Sequence, residues 1–232
     1  MTLVFIALVV TLFAAVVHFS KKLMGNRGAF ITASALAAWL LTQAVLALNG
    51  FFADFSSMPP HIAFVILPGL IFLLGLAVHP AVRKSPGFLE MSVATLIGFQ
   101  TFRVVMEFIL YTLVKEGQLP EIMTLTGSNF DLLVGTTAPF TAWVAVRYGR
   151  RSYPALIAWN GAGFLILLNT VIHGILAAPT RFQVFFTDPP NTVIGTFPWI
   201  WLPGFVVPVA LAGHILSLRQ IWLLTATPTP ER

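Results

Sequence analysis

Seven apolar stretches, each close to the length that carries a helix across a bilayer, take up most of this chain, and basic residues fall in every second connection between them. The stretches cover about 3–20, 29–52, 62–82, 89–114, 132–146, 154–178 and 197–224. With 57% hydrophobic and 9% charged residues, the chain lacks the polar groups to coat a water-facing surface, since soluble domains carry roughly a quarter charged residues. The expected fold is therefore all-α: a polytopic bundle of seven transmembrane helices over 1–224, followed by a short disordered cytoplasmic tail over 225–232. At 232 residues no length remains for a second domain.

Charge placement sets the expected orientation. With the N-terminus outside, the cytoplasmic connections hold Lys21, Lys22, Arg27, Arg83, Lys84, Arg147, Arg150, Arg151, Arg219 and Arg232, against Lys115 and Arg181 on the outer side. The first stretch has no basic residue ahead of its apolar run and reads as a retained helix instead of a cleaved leader. The net charge of +5 is explained by these helix-end residues, which argues against a nucleic-acid partner. Tyr148, Tyr153, Trp199, Trp201 and Trp222 fit an interfacial aromatic belt. The fifth stretch is short and holds Gly135 and Pro139, so a re-entrant segment competes with a full crossing; the crossing preserves the charge alternation. The expected locale is a bacterial inner membrane, which suits such compact loops.

Arg103 and Glu107 carry the sharpest chemical signal. Both lie near the middle of the fourth stretch, four residues apart, so both side chains project from one helix face, with Gln100 and Tyr111 extending the stripe. An ionised residue at bilayer depth costs at least about 2.5–3.5 kcal/mol, so this stripe is expected to face protein. Gln43 in the second stretch and Asn169 with His173 in the sixth are further candidates for the polar core, with His173 at a depth matching Glu107. The alternative reading of the Arg103 and Glu107 pair is a structural clasp.

In the outer connections, Asn129, Asp131, Asp188 and Asn191 offer oxygen ligands at the mouth of a cavity, although helix capping and turn formation explain the same residues. The connections over 117–130 and 179–196 are long enough to fold over the bundle as an external lid. His18, His79 and His214 form a weaker set toward the cytoplasm as ligands for haem iron or a divalent metal. With zero cysteines, disulfides, thiolate metal sites and cysteine nucleophiles are excluded. Pro68, Pro139, Pro203 and Pro208 interrupt spans and free backbone carbonyls of the kind that frame substrate sites.

Seven helices with an external N-terminus resemble the heptahelical receptor and rhodopsin topology in helix count and direction only. The lysines, Lys21, Lys22, Lys84 and Lys115, lie near span ends, so no retinal Schiff base is expected in the seventh helix. Three function classes follow. The first is a small permease or ligand-binding bundle for a proton, anion or small polar molecule. The second is a non-catalytic membrane subunit of a larger complex, haem- or pigment-associated. The third is an intramembrane enzyme acting on a lipid substrate through Glu107 and His173. The lipid bilayer is the shared partner, and no catalytic motif favours the enzyme.

Overall fold

A computed structural model describes residues 1–78 and 85–226. Within these residues all regular structure is helical and there is no strand. Four helical stretches are long and apolar enough to cross a membrane: Thr2–Leu48, Val93–Lys115, Asp131–Ala177 and Leu202–Ala226. Large apolar side chains point outward on these stretches and on the helix Ala63–Val78, as on a lipid-facing surface. Leu3, Phe30, Ile71, Phe140 and Val146 are each more than half exposed.

The first element, α1 (Thr2–Leu48), is two arms joined at Gly25. Gly25 sits at φ 71° and ψ −168°, a region that only glycine occupies comfortably. In a straight helix Ser20 and Thr32 would stand about 18 Å apart. Their hydroxyls instead hydrogen-bond at 2.7 Å, so the arms fold back against each other. Phe5 of the first arm and Leu40 of the second share one hydrophobic cluster with Met106, Ile109 and Phe205.

After α2 (Ala63–Val78) and a single turn at Pro86–Leu89, α3 (Val93–Gly98) begins at Ser92, whose side chain accepts from the Ala94 N–H. It passes through a 3-10 turn, Phe99–Thr101, into α4 (Phe102–Lys115). The helices α5 (Asp131–Tyr148) and α6 (Tyr153–Ala177) form a second hairpin, turned at Gly149 with φ 50°. Trp159 donates to Thr137 Oγ1 at 3.0 Å across that hairpin. A π-turn, Leu202–Val206, built around Pro203 leads into α7 (Val207–Ala226).

One end of the molecule gathers the basic segments. Ser85 bonds to the Leu23 carbonyl, Gln220 to the Met91 carbonyl and Arg150 to the Thr225 carbonyl. The opposite end holds the two long loops. There His61 bonds to the Phe51 carbonyl and Asn191 donates to the Gly174 carbonyl.

Several expectations change. The fifth stretch is one continuous helix, longer than its apolar run because Asp131 and Tyr148 add polar turns. The stretch over 89–114 starts its long helix at Val93, and that over 197–224 begins with turns through Ile200. Trp199 and Trp201, expected at an interface, are tied into the bundle by specific contacts. Trp199 is buried against Phe5 with ring centroids 4.9 Å apart, and Trp201 donates to the Leu40 carbonyl, since both indoles find core partners. The last helix runs to Ala226, two residues into the expected tail; 227–232 lie outside the described residues, as do His79, Arg83 and Lys84.

Candidate functional site

The stripe on α4 is buried as its spacing predicts: Gln100, Arg103 and Glu107 all face the bundle, while Tyr111 is exposed and ends it. Arg103 and Glu107, however, do not pair with each other. The Arg103 guanidinium forms its ion pair with Asp131 at the start of α5, through Nη2, and donates from Nη1 to His214 Nε2 on α7 at 3.0 Å. Glu107 is committed one turn outward. Its Oε1 accepts from the Leu125 N–H at 2.7 Å and its Oε2 from the Asn129 amide at 3.0 Å. With both carboxylate oxygens of Glu107 engaged by the outer loop and the guanidinium ion-paired to Asp131, Arg103 and Glu107 do not form the expected clasp within one helix.

Donor chemistry fixes the state of His214. A guanidinium only donates, so Nε2 must accept, which leaves the proton on Nδ1. Nδ1 then donates to Asn160 Oδ1 at 3.1 Å, and Asn160 Nδ2 donates on to the Leu156 carbonyl. The imidazole is neutral, fully buried and squeezed against α6 at Gly163, where a Cβ would stand 2.5 Å from His214 Cε1. Gly135 gives α5 the same close approach to α4, since a Cβ there would meet the Val104 nitrogen at 2.8 Å.

Asn129 is the hub between the two carboxylates. Its amide donates to Glu107 Oε2 and to the Met123 carbonyl, and its Oδ1 accepts from the Asp131 N–H and from Thr170 Oγ1. All four hydrogen-bonding positions of the side chain are filled. The resulting network links the outer loop through Glu107, Asn129, Asp131 and Arg103 to His214 and Asn160, with Asp131 joined to Asn129 by its main-chain N–H and to Arg103 by its carboxylate, and it draws on α4, α5, α6 and α7. It holds two carboxylates against one guanidinium, a formal charge of −1 when both carboxylates are ionised.

Other candidates lie apart. Asn169 donates to the Ser128 carbonyl and helps seat the outer loop. His173 bonds to the Asn169 carbonyl and stacks on Phe185 at 5.1 Å, instead of touching Glu107. Gln43 is buried against Gly204 of the π-turn, with neither amide atom hydrogen-bonded. Asn191 is buried and closes the loop over α6, while Asp188 is exposed; these two do not converge on Asn129 and Asp131. His18 is exposed beside Phe19, whereas both ring nitrogens of His214 are engaged, so these two imidazoles do not make a ligand pair. His79 lies outside the described residues. Among the described residues no cluster of three or more His, Asp or Glu is spaced to hold a metal ion.

Two members of the network were not singled out by sequence reasoning. Asn160 and Thr170 share a buried face of α6 with Gly163, Leu167 and Gly174, at spacings of three and four. That repeat around a mid-span asparagine was the available signal. Against known proteins, a family model described as a domain of unknown function, DUF8737, matches residues 59–222, and the chain belongs to that family. No curated protein and no solved structure gives a match.

Proposed function

We propose that this member of the DUF8737 family is an integral membrane protein of seven crossings, N-terminus outside, that moves or binds a proton or small polar solute through its polar core. The two arms of α1, the α5 and α6 hairpin, α2, the combined α3 and α4, and α7 supply the seven. Clustering of Lys21, Lys22, Arg150 and Arg151 at one end supports the orientation, and a bacterial inner membrane suits it. One domain over 1–224 is part of this reading, supported by the hydrophobic cluster that both arms of α1 share with α4 and the π-turn.

The observation that carries the functional reading is the buried polar network from Leu125 to Asn160, with its surplus of one carboxylate over guanidinium. Taking up one proton neutralises it, and a bilayer interior favours neutral clusters. Glu107 is the natural acceptor, because it lies beneath a single layer of outer loop, whereas Asp131 is tied to Arg103. The loop over 117–130 then serves as a lid. The test is proton flux into vesicles holding the purified protein and a trapped pH dye under an imposed potential. Wild type should carry flux above protein-free vesicles, and Glu107→Gln should abolish it while eluting as folded protein. If Glu107→Gln instead fails to fold, the carboxylate is a clasp.

A further inference from the structure

The network accounts for the outer half of the bundle; the inner half carries an unexplained set of polar atoms. Three buried groups around α7 have no hydrogen-bond partner among the described residues: Gln100 Oε1, Arg103 Nε and Ser217 Oγ. Gln100 is held in place by its own Nε2, which donates to the Ala210 carbonyl at 2.9 Å, and Arg103 by His214. The orphaned atoms therefore sit beside the stretch of α7 from Ala210 to Ser217. Ser217 itself is completely buried, one turn from His214 and one turn from Gln220. Gln220 lines a cavity of about 230 Å³ at the basic end of the molecule, together with Met91, Ser92, Ala94, Tyr153 and Leu224.

Buried polar atoms in a native fold are satisfied by protein or by water, and a water held inside takes two to four polar partners. An unpaired hydroxyl, an unpaired guanidinium N–H and an unpaired amide oxygen within two turns of α7 supply such partners. Each helical turn rises about 5 Å, a span that one bridging water covers between two polar groups. Gly213 lets the Gln100 amide close against α7 beside these groups: a Cβ there would lie 2.4 Å from Gln100 Nε2. We infer that the face of α7 bearing Gln220, Ser217 and His214 lines a water-filled half-channel leading from the basic-end cavity to the Arg103 network. Its ligand class is water and hydronium, and it gives the proposed proton site its inner access. The assignment deepens the reading of the polar core and shares its orientation.

The chain has no cysteine, so single-cysteine variants start from a silent background. In inside-out vesicles and in intact cells, Ser217→Cys is treated with a small, charged, membrane-impermeant methanethiosulfonate, with Ala94→Cys as the cavity control. Reaction of Ser217→Cys from the basic face at least ten times faster than from the opposite face is expected, slowed when Leu224→Trp fills the cavity. Silence from both faces while Ala94→Cys reacts overturns the half-channel, as does equal reaction from both. A second measurement uses the wild-type protein: hydroxyl-radical footprinting should oxidise His214, despite its full burial, well above equally buried Phe52, and equal protection of the two counts against water in the seam. One-sided labelling without proton flux would retain the half-channel and refute transport; flux with silent Ser217→Cys would do the reverse.

Discussion

Replacing Asn129 by alanine tests the hub. The substitution strips one donor from Glu107 Oε2 and one from the Met123 carbonyl, and removes the acceptor of the Asp131 N–H. Thr170 loses less, because its hydroxyl also reaches the Ile166 carbonyl at 3.1 Å. Each buried group left unpaired costs about 1–3 kcal/mol, and more when charged, so three such groups amount to roughly 3–6 kcal/mol after loop relaxation. At about 2–4 °C per kcal/mol for a chain of this size, the melting temperature in mild detergent should fall by roughly 6–24 °C. Asn129→Asp keeps the shape but turns an oxygen toward Glu107, and should be at least as damaging. Asn169→Ala, which loses a single bond to the Ser128 carbonyl, is the reference and should cost about 1 kcal/mol. Limited proteolysis within 117–130 should accelerate in Asn129→Ala and not in Asn169→Ala. Equal melting temperatures for the two variants would refute the hub.

His214→Phe leaves a guanidinium N–H and Asn160 Oδ1 unpaired and should destabilise by about 2–4 kcal/mol, read as lost thermal stability with the helical circular dichroism retained at low temperature. Gly163→Val drives a side chain into the imidazole and should cost more than Gly161→Val, where nothing lies within 4 Å, by melting temperature. Gly25→Ala forces an L residue into a glycine-only conformation and should cost about 1–3 kcal/mol by the same assay. In the loop after α1, hydrogen bonds from the Ser56 hydroxyl and from the Ser56 and Ser57 N–H groups hold the Asp54 carboxyl below its ordinary 3.8. A lowered value in the folded state means that this turn keeps its support above the ordinary carboxylate range and loses it as pH falls through the depressed value. Protection of the Ser56 and Ser57 amides, measured by hydrogen exchange against Asp54→Asn, should therefore persist through neutral pH and disappear as pH falls below the ordinary carboxylate range.

Much of the helical plan was legible because a bilayer solvent demands long apolar runs, and those around Leu8, Leu40, Ile109 and Leu167 are long enough despite isolated polar residues such as Gln43, Glu107 and Asn169. The burial of Gln100, Arg103 and Glu107 was legible from their spacing. Their partners were not. Arg103 chooses among carboxylates by three-dimensional proximity, and Asp131, twenty-eight positions away in sequence, reads locally as a helix-starting residue. Glu107 binds a backbone N–H at Leu125, and main-chain donors leave no mark in the residue pattern. Trp199 and Trp201 show the same limit: an indole near a span end reads as an interfacial anchor, while the chain turns it into the core.

The central claim is that Arg103 answers to Asp131 and not to Glu107. Its most direct measurement is a pair of double-mutant cycles on unfolding stability, Arg103→Met with Asp131→Leu and Arg103→Met with Glu107→Leu. A coupling above about 1 kcal/mol in the first cycle and below about 0.5 kcal/mol in the second is predicted. The reverse order would contradict the account.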